Sequence, residues 1–147
     1  MSDCKSAWIT SCLESGSTHW GAIKSWNSFK GSKVKMINMK TSTRTSFKFN
    51  ELKDELLICV TGKVKVYYGD QDLLLLSEGT LAVDYLEPGM ALSVQSECPY
   101  RLEAVDNSVV IEVSAGQEGI VRLADDYGRE TEKFSDYMNE IIERYWG

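Results

Sequence analysis

Glu55-Leu56-Leu57-Ile58-Cys59-Val60-Thr61-Gly62-Lys63-Val64-Lys65-Val66-Tyr67-Tyr68 is a pair of β-rich runs placed about a glycine. Glu55 to Val60 is the first run, Thr61-Gly62 the turn, and Lys63 to Tyr68 the second, which reads as a hairpin. Lys63 and Lys65 alternate with Val64 and Val66, so one face of the second strand is wet and the other buried. Cys59 lies inside the apolar run and reads as core.

The same texture extends outward. Val34 to Met39 and Thr43 to Phe49 read as strands before the hairpin. After the turn at Gly69-Asp70-Gln71-Asp72 come Leu73 to Leu76 and Thr80 to Leu86. Glu87-Pro88-Gly89 is another turn, followed by Ala91 to Gln95, Tyr100 to Val105 and Ser108 to Ser114. About nine short strands at close spacing predict an all-β sandwich or barrel over residues 33–116. Residues 1–32, rich in Ser, Gly and Trp, show no clean period and read as an irregular arm with at most one short strand. In the tail, Phe134, Tyr137, Met138, Ile141, Ile142 and Tyr145 recur at helical spacing, predicting an amphipathic α-helix over 131–146. That helix packs either on the barrel or on a second subunit. Trp8, Trp20, Trp26 and Trp146 suggest that both termini pack on the barrel, with sugar stacking by one of them as the alternative.

A chain of 147 residues suits one domain with one core, so 1–147 is read as a single unit. Hydrophobic residues at 43% and charged residues at 26% give an ordinary globular balance. The net charge of -6 repels a phosphate backbone, which argues against nucleic acid while leaving room for a small phosphate at a local basic site. No apolar run reaches the roughly 18–20 residues that span a bilayer, so no membrane partner is expected. Met1-Ser2-Asp3-Cys4-Lys5 lacks the layout of a signal peptide, and a cytoplasmic location is expected. The four cysteines form no zinc-like CxxC pair and are expected to be reduced.

Glu55-x6-Gly62 resembles the end of the first motif of the cupins, and Gly89, Gln95-Ser96-Glu97, Tyr100 and Ala104 follow the spacing of the second. Gly119-Ile120-Val121-Arg122-Leu123-Ala124-Asp125-Asp126-Tyr127-Gly128-Arg129 resembles the C-terminal stretch of type II mannose-6-phosphate isomerases, which are cupins. Trp20-Gly21, Lys33-Val34-Lys35, Val60-Thr61-Gly62-Lys63-Val64 and Ile111-Glu112-Val113-Ser114-Ala115-Gly116 resemble that domain in the same order, so the likeness covers residues 20–130. It implies a cupin double-stranded β-helix (jelly-roll barrel) with the C-terminal helix appended. Cupins commonly pair through their sheets, so it also implies a homodimer.

The metal-binding histidines of those motifs are missing: the one histidine, His19, lies outside both and reads as structural. By position the expected ligands become Lys48, Asn50, Glu55 and Tyr100. A protonated lysine has no lone pair to give a metal. One carboxylate, an amide and a phenol do not make a tight zinc or iron site, so no metal and no cofactor are expected beyond a weakly held hard cation. Glu55 is the candidate base for abstracting a sugar C–H proton once desolvation raises its pKa; the alternative is a plain ion pair with Lys48. Lys48 either replaces the metal as electrophile or is a solvated lysine at the barrel mouth. Asn50 and Tyr100 offer hydrogen bonds to a sugar, with a core-filling role the alternative for Tyr100. Lys53 is a phosphate candidate or a surface turn lysine. Arg122 and Arg129 reach a phosphate or pin the tail through Asp125 and Asp126. Arg101 alternates with Tyr100 and should point away. Three functions follow from the resemblance. One is an isomerase of sugar phosphates related to mannose-6-phosphate isomerase. Another is a non-catalytic binder of a sugar or sugar phosphate. The third is a scaffold whose mouth is filled by Leu52, Leu57 or Tyr100.

Overall fold

A computed structural model of the chain describes residues 4–27, 31–71, 81–117 and 119–124. Its strands are β1 (Glu14–Ser17), β2 (Gly21–Asn27), β3 (Ser32–Met39), β4 (Phe47–Asn50), β5 (Lys53–Thr61), β6 (Val64–Tyr68), β7 (Ala82–Leu86), β8 (Ala91–Val94), β9 (Tyr100–Ala104), β10 (Ser108–Gly116) and β11 (Ile120–Ala124). They form a six-stranded sheet in the order β1-β2-β3-β10-β5-β8 and a five-stranded sheet in the order β11-β4-β9-β6-β7. All pairings are antiparallel. From β3 onward the described chain passes back and forth between the sheets; β6 and β7 are consecutive strands that stay in one.

The predicted hairpin is therefore a corner. β5 pairs with β10 and β8, whereas β6 pairs with β7 and β9 in the other sheet. The two runs each carry a buried face, Leu57 and Cys59 on β5 and Val64 and Val66 on β6, and these faces meet across the core instead of lying side by side. Gly62 makes the corner at φ 86°, where a Cβ would stand 2.3 Å from Ser108 Oγ and 2.4 Å from the Asn107 carbonyl oxygen. Glycine is required there both by conformation and by space.

Eight of the nine expected strands are present, and Leu73 to Leu76 lies outside the described residues. The expected Thr43 to Phe49 strand is displaced to Phe47–Asn50. Its beginning is broken because the Thr45 hydroxyl accepts the Leu102 N–H at 3.0 Å, a side chain taking a backbone ladder position. The arm over 1–32 is more regular than expected: β1 and β2 extend the larger sheet, and β3 begins inside it. Its Ser and Gly content hid two strands: β2 takes its register from β3 and β1 from β2, next to Trp20, which is buried in the core. Trp8, by contrast, is 64% exposed. The expected helix over 131–146, Trp146 and Arg129 lie outside the described residues.

Inward-facing residues change character along the strands. On β5 the order is Lys53, Glu55, Leu57, Cys59; on β10, read in the antiparallel sense, it is Ser114, Glu112, Val110. On β3 it is Lys35, Ile37, Met39. The register aligns these gradients, so one end of the barrel is apolar and closed and the other is polar. Burial of the apolar end supplies the main driving force for closing the sandwich.

Candidate functional site: a charged cavity in the polar end of the barrel

The polar end encloses a cavity of about 180 Å³. That is smaller than the roughly 300–1,000 Å³ of drug-sized pockets and suits a small ligand. β5 delivers Lys53 and Glu55 to it, β4 Lys48 and Asn50, β9 Tyr100, and β11 Arg122. Six of the seven residues singled out from the sequence thus converge on one cavity. On the smaller sheet the pairing aligns Arg122, Lys48 and Tyr100 in one row across β11, β4 and β9. β10 and β3 add two groups that the sequence reading did not select, Glu112 and Lys35, which are register partners. The signal for Glu112 was a lone carboxylate between Ile111 and Val113 in a β-rich run.

Glu55 is buried, and its Oε2 accepts a 3.0 Å hydrogen bond from the Tyr100 hydroxyl. Burial pushes the Glu55 carboxyl up to about 7, assisted by the negative charge of Glu112 and a hydrogen bond between the two carboxyls. Lys48 and Lys53 act in the opposite direction. Burial also pushes the Tyr100 phenol well above its ordinary value, followed by the charges of Glu55 and Glu112, so it stays a donor at neutral pH. The Lys48 ammonium lies 4.9 Å from the centre of the Tyr100 ring, a cation–π distance. It is half-buried over that ring rather than solvated. Lys53 opens β5 instead of lying in a surface turn, and is only 5% exposed. Its Nζ is 4.0 Å from Glu112 Oε2, and Lys35 Nζ is 3.9 Å from the same oxygen.

Leu52 is 55% exposed and does not plug the mouth; Leu57 and Tyr100 are buried in the wall. Arg101 points away from the cavity as expected, yet it is fully buried, its Nε donating to the Thr45 carbonyl at 2.7 Å. His19 is exposed. The lining offers four cations, two carboxyls, a phenol and an amide. This donor set does not fit a transition metal: ammonium and guanidinium groups supply no lone pair and repel a cation. Among the described residues no three His, Cys, Asp or Glu side chains converge as a metal site would require.

No known family's sequence profile matches the chain, and no curated protein matches it by sequence. Solved structures do. CapF, a capsular polysaccharide assembling protein from Staphylococcus aureus, superposes with a TM-score of 0.59 at 11% identity, over 74% of this chain and 30% of its own. Oxalate decarboxylase from Bacillus subtilis superposes with a TM-score of 0.62 at 10% identity, over 80% of this chain and 33% of its own. The fold is that of the cupins. KdgF from Halomonas sp. gives a TM-score of 0.53 at 14% identity, over 65% of this chain and 80% of its own. The chain thus spans about a third of the length of CapF and oxalate decarboxylase and most of the length of KdgF. These cupins have in common with it the two-sheet barrel. Among the described residues no helix is long and apolar enough to cross a membrane.

Proposed function

We propose that this cupin performs metal-independent acid–base chemistry on a small anionic substrate held in the barrel. The reaction class is aldose–ketose isomerisation of a sugar phosphate. The observation that carries the reading is a buried carboxyl, Glu55, with a pKa of about 7, in a cavity lined by four cations. A base of that strength is populated in both protonation states at neutral pH, as a group that takes a proton and returns it must be.

In the reaction the Glu55 carboxylate takes the proton from the carbon next to the carbonyl. The C–H bonding pair becomes the C=C bond of an enediolate and the carbonyl π pair moves onto oxygen. Lys48 stabilises that oxyanion from the opposite sheet, while the Tyr100 hydroxyl holds Glu55 in place through its hydrogen bond to Oε2. Glu55 then returns the proton to the neighbouring carbon as the hydroxyl proton transfers between the two oxygens, leaving no net change in protons or electrons. The resemblance of residues 20–130 to mannose-6-phosphate isomerases points to mannose 6-phosphate and fructose 6-phosphate as the first substrates to try. The small cavity volume favours a second reading, a binder of the same class of ligand without turnover.

The test is a coupled assay of mannose 6-phosphate conversion to fructose 6-phosphate, in chelator and then with zinc, manganese or cobalt. Turnover that survives chelator and disappears in Glu55→Gln is expected. Turnover only with metal refutes the donor-set argument, and no turnover under any condition sinks this isomerisation in favour of the binding reading.

A further inference from the structure

Buried polar atoms without partners are rare, and each asks for an explanation. Among the described residues three side-chain atoms are buried with no hydrogen-bond partner: Asn50 Nδ2, Arg122 Nε and Glu112 Oε2. They come from three different strands, β4, β11 and β10, and all three residues line the one charged cavity.

The Asn50 amide is not free to turn. Its Oδ1 accepts the backbone N–H groups of Leu52 and Gly119, both at 3.1 Å. With the oxygen pinned on that side, Nδ2 is directed the other way and its two hydrogens have no protein acceptor. Arg122 sits on the neighbouring strand, where Ile120 is opposite Asn50 and Arg122 opposite Lys48. Its Nε–H is the second orphaned donor. Glu112 supplies the opposite need. Its Oε2 is an acceptor facing two ammonium groups at 3.9 and 4.0 Å, close enough for attraction and too far for a hydrogen bond.

We infer that the cavity is shaped for a small hydroxylated anion, whose anionic oxygens accept from Asn50 Nδ2 and Arg122 Nε and whose hydroxyl donates to Glu112 Oε2. A neutral polyol lacks the charge that four lining cations call for, and an anion without a hydroxyl leaves Glu112 Oε2 without a hydrogen bond. Selectivity of this kind is steep, because a site built around buried polar atoms rejects the analogue that leaves one of them unpaired. Glu112 is thereby assigned as a binding residue distinct from the base, Glu55. A phosphate and a carboxylate share the chemistry that Asn50 and Arg122 would recognise. The inference deepens the reading of this cavity as a ligand site and does not require turnover.

The test is calorimetric titration of the full chain at pH 7 with five probes: glycerate, propionate, glycerol 3-phosphate, fructose 6-phosphate and glycerol. At least one of the three hydroxylated anions should bind saturably, about tenfold or more tighter than both propionate and glycerol. A preference for glycerate over the two phosphates assigns a carboxylate, and the reverse a phosphate. Asn50→Asp keeps both hydrogen bonds to backbone N–H and replaces the donor by a charged acceptor, so it should weaken the preferred anion about tenfold or more while melting near the wild type. Glu112→Met should weaken the hydroxylated anion and narrow its advantage over its hydroxyl-free analogue. Arg122→Met should narrow the advantage over glycerol. Equal binding of propionate or glycerol overturns the inference, as does no saturable binding by any probe, or unchanged selectivity in all three variants. If selectivity fails while Glu55-dependent turnover persists, the acid–base reading stands alone. If selectivity holds without turnover, the catalytic reading falls and the ligand assignment stands.

Discussion

Replacing Glu55 by Gln should make the protein more stable at alkaline pH, an unusual outcome for removal of a hydrogen-bonded carboxylate. The folded chain holds the Glu55 proton up to a pKa of about 7, whereas the ordinary value is 4.5. Between those values the folded state binds more protons than the unfolded state, so stability falls as pH rises. The stabilisation is fully present below about 4.5 and lost on passing through about 7. At about 1.4 kcal/mol per pH unit, the gap from 4.5 to about 7 corresponds to about 3 kcal/mol. Gln is a permanent mimic of the protonated form, and its carbonyl can still accept from the Tyr100 hydroxyl that lies 3.0 Å from Glu55 Oε2. The variant should therefore match the wild type at pH 4 and exceed it at pH 8 by about 3 kcal/mol, or about 6–12 °C in melting temperature for a domain of this size.

The assay is thermal and urea unfolding of both proteins from pH 4 to 9, read as the difference between variant and wild type. Groups that titrate identically in both cancel in that difference, which leaves Glu55 together with its coupled neighbour Glu112. A difference that stays constant from pH 4 to 9, or that shrinks as pH rises, refutes the assignment of a raised pKa to Glu55. It would also remove the base from the proposed mechanism.

Two further outcomes test the surroundings. Tyr100→Phe deletes the buried hydroxyl that donates to Glu55 and should cost about 1–3 kcal/mol in urea unfolding. Arg101→Met keeps side-chain length but leaves the Thr45 carbonyl without its 2.7 Å donor; it should cost about 1–3 kcal/mol while leaving anion binding in the cavity unchanged, because Arg101 points away from it.

What could be read in the chain beforehand follows from which interactions are local. Alternation such as Lys63, Val64, Lys65, Val66 reports a strand with one buried face, and it does so for β3 and β5 to β10 without help from the rest of the fold. It does not report the partner. The Glu55–Tyr68 segment has the composition of a hairpin, yet its halves pair with β10, β8, β7 and β9 across long sequence separations. β2 was hidden for the complementary reason: Gly21-Ala22-Ile23-Lys24-Ser25 has little strand preference of its own, and its pairing to β3 supplies the order. The site followed the same rule. Lys48, Asn50, Glu55 and Tyr100 were found through motif spacing, which fixes strand register. Lys35 and Glu112 belong to no such spacing, and only the alignment of β3 with β10 brings them to the cavity. Of the two readings of Lys53, the surface-turn one came from its neighbours Glu51, Leu52 and Asp54, whereas Lys53 is the first inward residue of β5.

The charge arrangement explains how the barrel tolerates Lys48 beside its cavity. A buried ammonium is costly unless opposite charge and hydrogen bonds surround it. Here Glu112 faces Lys35 and Lys53, while Glu55 feels Lys48 and Lys53. The ammonium groups occupy the role of a central cation, but at fixed points on the walls, and they leave the interior open for a ligand. A metal ion stabilises an oxyanion from the centre of its ligand set; in the proposed reaction the wall cations would do so from the periphery and leave the Glu55 carboxyl available for proton exchange. Placing histidines at positions 50 and 100 alone would not build a metal centre, because Lys35, Lys48, Lys53 and Arg122 would still repel the ion. The cation set and the carboxyl pair thus depend on each other: removing either would leave the other's buried charge without its counterpart.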